Sequence, residues 1–346
     1  MASKRFSFFS KGQLVVLALL AATPLLDVIA PSLQFSGPMR TVIVFAILAL
    51  GLNIVVGWTG LLNLGIAAFM AIGAYAFGIL TSEIYPFQVG FWWGIVLSGA
   101  IGAFAGWLLG APTLRLRGDY LAIVTLGFGE IVQDGLKNLP TITKGTEGIN
   151  PLPAPTILDS SLKVVEVSGE TPVRWFFIYL ALLALIVFLC RNLEFSRLGR
   201  QWFAVREDEL AARCMAIEPD KAKLKAFAAG AALAAISGAL YASHLSSTGE
   251  PSNYDFQISI LALCIVIVGG IGSITGVLVG AIVMVGLNNV LLPIATQSLQ
   301  RAGFASTGNV LASPDNYKYL FFGLALVLMM HFRPDGLVHT RKAVRK

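Results

Sequence analysis

Apolar runs separated by short polar stretches recur along the whole chain. Ten have the length and hydrophobicity of membrane spans: 12–30, 39–57, 61–82, 89–110, 119–134, 173–190, 225–244, 256–270, 274–294 and 316–332. Roughly 20 helical residues, at about 1.5 Å each, cover a bilayer core of about 30 Å. A membrane β-barrel would instead show alternating segments of about 10 residues, and the chain does not read that way. The pattern predicts an all-α polytopic membrane protein of about ten transmembrane helices, residues 1–346 making one transmembrane domain. Span 119–134 is short, and the turn between 256–270 and 274–294 is minimal. The first span is too long for a signal-peptide core and no cleavage site follows it, so it reads as a retained span.

The polar interruptions give the chain a direction. With the N-terminus in the cytoplasm, 18 of the 25 Lys and Arg fall on the cytoplasmic side: the N-terminal residues, Arg115 and Arg117, the loop 191–224 with Lys225 at its edge, and the tail 333–346. That bias is the positive-inside pattern and predicts both termini in the cytoplasm. Acidic residues lean the other way, 11 of 19 lying on the outer side. The segment 134–172 is the long outer excursion, broken by Pro140, Pro151, Pro153, Pro155 and Pro172. Loops of that length in a compact fold tend to be functional. With the first span set aside, spans two to five and seven to ten form two sets of four displaced by five spans. An odd displacement makes them face opposite ways, the inverted-repeat plan that places a path at the interface of the sets.

Composition adds close packing to this picture. The chain holds 35 glycines, and Gly102, Gly106 and Gly110 repeat every four residues, as do Gly230, Ala234 and Gly238, then Gly276 and Gly280. Small residues at that spacing let helix backbones approach in lipid. The sequence pI is about 9.3, but the charge is spread rather than gathered in one patch, so no nucleic-acid partner is expected. The basic tail reads as an anchor to anionic membrane lipid. Cys190, Cys214 and Cys264 lack metal-ligand spacing and read as small apolar packing residues; no metal site is expected.

Little in the chain points to catalysis. No segment matches the phosphate-binding G-x-x-x-x-G-K-[ST] pattern. Gly269, Gly270, Gly272 and Ser273 form a glycine-rich stretch without dinucleotide spacing, and a tight helix–turn–helix is expected there. His244, His331 and His339 are dispersed. Polar residues inside spans are costly and need a reason. Asn53 and Asn63 flank the break Gly57-Trp58-Thr59-Gly60, and Tyr120, Thr125 and Glu130 lie along the fifth span. Each either bonds a neighbouring helix or lines a polar passage. The densest charged segment is Gly199–Arg213. Asp208 is placed to cap a short helix, on which Leu210, Ala211, Cys214 and Met215 form one apolar stripe with Glu209, Ala212 and Arg213 off it. Such a helix either lies on lipid or grips a soluble partner; Glu207, Asp208 and Glu209 suit a protein cleft better than an anionic lipid surface.

Read in order, the chain resembles the LivM-type permease subunit of bacterial ABC importers for branched-chain amino acids. The resemblance rests on Gly51-Leu52-Asn53-Ile54-Val55-Val56-Gly57, Gly60-Leu61-Leu62-Asn63-Leu64-Gly65, Ala71-Ile72-Gly73-Ala74-Tyr75 and the run 115–131. Further along it rests on Gly145-Thr146-Glu147-Gly148-Ile149, Gly269-Gly270-Ile271-Gly272-Ser273, 322–330 and Phe332-Arg333-Pro334-Asp335-Gly336-Leu337. It implies a type II ABC-importer-like permease in the bacterial inner membrane, paired with a LivH-type subunit. Two cytoplasmic LivG/LivF-type ATPases, which would bind the ATP and Mg²⁺, and a periplasmic amino-acid-binding protein would complete the importer. The segment around Gly199, Arg200, Arg206, Glu207, Asp208, Glu209, Leu210, Ala211, Ala212 and Met215 would dock into an ATPase. Lys144, Gly145, Thr146, Glu147 and Gly148 would face the binding protein. The sequence departs from the family at Ala216 and Lys144, where glycine is usual. Related subunits carry urea, short amides or other neutral amino acids, which keeps those substrates open. An ion-coupled secondary transporter working through Glu130 is the alternative of a different class.

Overall fold

A computed structural model describes residues 10–29, 36–113, 119–158, 164–166, 172–293, 296, 318–333 and 336–338. Arg115, Arg117 and the tail beyond residue 338 lie outside the described residues, as do 159–163 and 167–171 of the long excursion.

Each predicted span is a helix. In chain order these are α1 (Lys11–Ile29), α2 (Ser36–Leu52), α3 (Ile66–Thr81), α4 (Phe91–Thr113), α5 (Asp119–Lys137), α7 (Pro172–Phe195), α10 (Pro219–Leu245), α11 (Phe256–Gly269), α12 (Ile274–Gly286) and α13 (Lys318–Phe332). Between them lie the short α6 (Pro140–Thr143), α8 (Arg197–Glu207) and α9 (Glu209–Cys214). The long excursion also carries a ribbon in which β1 (Thr156–Leu158) pairs antiparallel with β2 (Val164–Glu166), Ile157 opposite Val165. Among the described residues, five helical segments are long and apolar enough to cross a membrane, the fifth being α11 together with its lead-in, Pro251–Gly269.

Helix α2 is apolar all round and buried all round from Val42 to Leu50, as expected of a central helix. Helix α4 is also apolar; past buried Phe91 and Ile95, it is mainly its small residues that face the protein. Trp93, Val96, Phe104 and Leu108 are all more than half exposed, a band of large apolar groups that suits lipid rather than water. On the opposite side, a Cβ at Gly102 would lie 2.3 Å from that of Ala235, and one at Gly106 would lie 2.5 Å from that of Ala231. The small-residue stripe of α4 therefore meets the alanine face of α10, backbone to backbone.

The packing has the inverted-repeat plan. Helix α10 packs on α3 and α4, and α2 packs on α11 and α12; α3 packs on α4 and α5, and α11 on α12 and α13. Exchanging α2–α5 for α10–α13 in order thus maps each of these contacts onto another. Helices α1 and α7 flank this pair of repeats, linked by the Arg191 Nη1 to Gln13 Oε1 bond of 3.0 Å. One end of the bundle gathers Gly57–Gly60, α8 and α9, and the α11–α12 turn. The opposite end gathers 82–90, 138–158 and 246–255, through bonds such as Leu152 N to Ser246 O and Tyr85 Oη to Ile142 O.

One span departs from its predicted extent. Residues 61–65 are as apolar as the helix that follows, yet α3 begins only at Ile66. Helix α2 ends in a π-helical turn, Asn53–Trp58, then Gly60 takes φ of +72°, and 61–65 run without helical structure. Hydrophobicity marks residues that avoid water but does not distinguish a helix from an apolar connection packed in protein.

Candidate functional site

In each repeat one short helix stops short of the full depth: α3 in the first and α11, counted without its lead-in Pro251–Asp255, in the second. At about 1.5 Å per residue, α3 spans roughly 24 Å and α11 roughly 21 Å. Their N-termini meet: the backbone N–H of Ala67 donates to Ser259 Oγ at 3.1 Å. Their C-termini point to opposite ends of the bundle, so the meeting point lies at mid-depth. Discontinuous helices meeting at the interface of inverted repeats are where transporters place their sites.

Beside this junction runs a cleft lined by Leu64 and Ala67, by Leu126, Gly129, Glu130 and Gln133 of α5, and by Tyr254, Asp255, Phe256 and Ser259. Asp255 caps α11, its carboxylate accepting from the backbone of Gln257 at 3.0 Å and Ile258 at 3.4 Å. The approach to α11 is fixed by aromatic packing of Tyr254 with Tyr75 and Tyr241 and by Tyr254 Oη donating to Thr248 O at 2.7 Å. Gln133 donates to Ser252 O at 3.3 Å and joins α5 to the same segment.

The five span residues singled out from the sequence separate here. Asn63 is buried and accepts from Gly65 N at 2.9 Å. Thr125 is fully buried, accepts from Leu64 N at 3.1 Å and donates to Ala122 O. Asn63 thus fixes a turn within the non-helical lead-in of α3, and Thr125 holds that lead-in against α5, where a Cβ at Gly65 would lie 2.2 Å from Thr125 O. Glu130 is exposed and lines the cleft. Tyr120, 71% exposed, lies on the open face of α5. Asn53 belongs to a different cluster.

That cluster joins both repeats to α8. Asn53 Oδ1 accepts from Gly272 N at 2.8 Å, and Trp58 Nε1 donates to Gly272 O at 3.2 Å. The break after α2 is thereby bonded to the α11–α12 turn. Trp58 stacks on Trp202 of α8 at 5.9 Å between ring centroids, and Trp202 Nε1 donates to Ala222 O of α10 at 2.8 Å. Arg206 donates from Nη1 to Gly57 O and crosses beside Gly60 and Gly272. The glycine turn Gly269–Ser273 is the tight helix–turn–helix expected, with Gly270 and Gly272 at positive φ and Ser273 capping α12 through Gly276 N at 3.0 Å.

Helix α8 starts on Ser196, whose Oγ accepts from Leu198 N and Gly199 N. Gly199 is buried against Leu193 and Glu194 carbonyls, and Arg200 Nη1 donates to Phe195 O at 3.0 Å. Asp208 caps α9, accepting from Leu210 N at 2.8 Å and Ala211 N at 3.0 Å. The expected stripe faces away from the chain. Leu210 is 74% and Met215 77% exposed, with Ala211 and Cys214 also exposed, while Ala212 is buried. Glu207 is exposed beside it. Glu209 turns back to accept from Lys223 at 2.7 Å and Arg213 at 3.1 Å. The bond from Lys223 holds its carboxyl below the ordinary carboxylate range, against the opposing effect of burial. This tie between α9 and α10 is therefore kept above that range and lost as acid titrates Glu209 through its lowered value.

Both departures from the family pattern sit at left-handed backbone positions. Helix α9 ends in a Schellman motif, Ile217 N bonding Ala212 O and Ala216 N bonding Arg213 O, both at 3.1 Å. Ala216 occupies the position that favours glycine, at φ of +58°. Lys144 ends α6 at φ of +62°. An L-residue there costs roughly 1–2 kcal/mol, so Ala216→Gly should stabilise this turn by about 1 kcal/mol. Slower amide hydrogen exchange at Ala216 and Ile217 is the expected readout; unchanged or faster exchange speaks against it.

At the opposite end, Lys144, Thr146 and Glu147 are exposed while Gly145 and Gly148 are buried. A Cβ at Gly148 would lie 2.4 Å from Gly249 O, and Ile149 and Thr248 exchange bonds of 2.8 and 3.2 Å. This loop is thus fastened to the lead-in of α11. Sequence reasoning did not single out Trp202, Lys223, Gln133, Asp255 or Ser259. Their partners lie far away in sequence (Gln133 bonds Ser252, Ser259 bonds Ala67 and Trp202 bonds Ala222), and no local pattern reports them.

The chain matches the family model described as branched-chain amino acid transport system / permease component over residues 35–330. It is 40% identical over 311 residues to the high-affinity branched-chain amino acid transport system permease protein LivM of Salmonella typhimurium, covering 85% of this chain and 68% of that one. The LivM protein of Escherichia coli K12 gives the same identity and coverage. The high-affinity branched-chain amino acid transport system permease protein LivH of Escherichia coli K12 is 25% identical over 253 residues, 69% of this chain and 79% of that one. No solved structure matches. A model that accounts for most of the chain, together with relatives at this identity and coverage, places it: this protein belongs to the branched-chain amino acid transport permease family.

Proposed function

We propose that this chain is one of two membrane-spanning permease subunits of an ATP-driven importer for branched-chain amino acids. Its partners in this reading are a LivH-type permease, two cytoplasmic ATPases that bind ATP and Mg²⁺, and a binding protein outside the inner membrane. Both termini and the α8–α9 end face the cytoplasm, in keeping with the distribution of Lys and Arg. The chain is a single transmembrane unit with no ATPase site of its own.

The observation that carries the reading is the placement of α9. Its apolar stripe is turned outward, while α8 beside it is bonded through Arg206 and Trp202 to the breaks in both repeats. A partner that grips Leu210, Ala211 and Met215 would move α8. From there motion reaches Gly57, Gly272 and, along α11, the junction at Ala67 and Ser259 where the cleft lies. ATP-driven closure of the ATPases would bias this two-state bundle between its two open forms. Glu130 and Asp255 give the cleft acidic groups that suit the ammonium of a passing amino acid, and selectivity resides largely in the binding protein. Lys144, Thr146 and Glu147 would face that protein.

The test is uptake of radiolabelled leucine by the reconstituted complex. The two ATPases should copurify with this chain in mild detergent. Leu210→Asp should cut uptake at least about tenfold, within the range of coupling energies of 1–3 kcal/mol. Uptake unchanged in a normally assembled complex counts against the docking role.

A further inference from the structure

The last carbonyls of a helix have no partner within it and must find one elsewhere. At the end of α11 two of them are taken by a segment from beyond α13. Leu337 N donates to Val268 O at 2.9 Å, and Val338 N donates to Gly269 O at 3.1 Å. Gly336 lets this segment come in. Its φ is +81°, and a Cβ there would lie 2.4 Å from Gly270 Cα and 2.6 Å from Gly270 N. Both are backbone atoms, so the position takes glycine on two independent counts.

The same order of residues returns to α11 at its other end. Glu147-Gly148-Ile149 follows α5 as Asp335-Gly336-Leu337 follows α13, the fourth helices of the two repeats. Gly148 also has a positive φ, +68°, and Ile149 exchanges bonds with Thr248 in the lead-in of α11. A glycine strap thus holds each end of α11. The strap at the Gly269 end bears on coupling, because the turn beside it is also bonded from the other side. Gly272 N donates to Asn53 Oδ1, Gly272 O accepts from Trp58, and Arg206 crosses next to it. Helix α13, which delivers the strap, packs on α11, while its Leu320, Val327 and Phe332 are more than half exposed. A turn bonded on one side only pivots when it is pushed. Bonded on both sides, it passes the push into the helix.

We infer that Gly336–Val338 is a positioning element for coupled transport. It joins α13 to the end of α11, so that motion reaching Gly272 shifts the two helices together instead of swinging the turn. This rests on the reading of α8 and α9 as the input driven by the ATPases.

The test removes a backbone donor rather than a side chain. Val338→Pro lacks the N–H that bonds Gly269 O, and Val338→Ala keeps it. In proteoliposomes of the assembled complex, Val338→Pro should lower the leucine transported per ATP hydrolysed at least about fivefold, the scale of a carbonyl left without its bond. Val338→Ala should keep the wild-type ratio. In the wild-type complex the amides of Leu337 and Val338 should exchange slowly with deuterium. An unchanged ratio in assembled Val338→Pro, an equal loss in Val338→Ala, or unprotected amides in wild type would each overturn the inference. Arg206→Ala, run alongside, tells the two readings apart. A loss there but not in Val338→Pro removes the strap and keeps the α8 route; a loss in Val338→Pro alone keeps the strap and removes that route. A loss in neither removes both. If Val338→Pro does not assemble, Gly336→Ala, which pushes the strap off Gly270, is measured in its place. Failure of both to assemble would make the strap a folding element and overturn its part in coupling.

Discussion

Arg206→Ala should leave ATP hydrolysis running in the assembled complex while amino-acid uptake falls about tenfold or more. Arg206 is bonded to Gly57 O, and a hydrogen bond from a charged group contributes roughly 1.5–3 kcal/mol. Without it, α8 touches the break after α2 only through ring contacts with Trp58 and loses its hydrogen bond there. An ATPase stroke would then move α8 and α9 without moving α3. The measurement is the ratio of leucine transported to ATP hydrolysed in proteoliposomes. Arg206→Lys, which keeps the charge with a different donor geometry, should recover part of the ratio. A ratio within twofold of wild type for Arg206→Ala would remove this residue from the coupling route.

Gly238→Val should prevent the bundle from forming. A Cβ at Gly238 would lie 1.9 Å from the carbonyl oxygen of Met70, and the reciprocal contact at Gly73 would place one 2.1 Å from Ala235 O. Neither obstacle is a side chain that can swing away. Separating α3 from α10 costs packing along their whole contact, so the penalty should exceed the usual 1–3 kcal/mol of an overpacked core and reach at least about 3 kcal/mol. The expected result is loss of monodisperse protein in detergent. Gly127→Ala on α5, with nothing within 4 Å, is the matched control and should purify normally. Wild-type yield and melting temperature for Gly238→Val would mean that α3 and α10 do not pack as described.

How much of this was legible in the sequence depends on how far apart the partners lie. The spans follow from local apolar length. Asp208 capping α9 is a bond to residues two and three positions on, and the outward stripe of Leu210, Ala211 and Met215 follows from helical spacing. The glycines of α4 and α10 announced close packing, though not that these two helices were each other's partners. By contrast, the bond from Arg206 to Gly57 joins residues 149 apart, and that from Gly272 to Asn53 joins residues 219 apart. No periodicity reports such pairs. The start of α3 at Ile66 was hidden for another reason: Leu61 is apolar because it packs against protein and Leu64 because it lines the cleft, not because they are helical. Asn53, Asn63 and Thr125 stood out correctly as polar groups needing partners, and each bonds backbone where a helix is interrupted.

The end-to-end meeting of α3 and α11 makes the middle of this protein a jointed strut. Helix α3 runs from the joint to Ser82 at one end of the bundle, and α11 runs from it to Gly269 at the other. Force applied at the Gly272 turn therefore travels as axial thrust along about four turns of α11 and emerges at Ser259 against Ala67. Small side chains on both sides let the joint bend without first having to unpack, so a displacement made at one membrane face arrives at mid-depth as a change of angle.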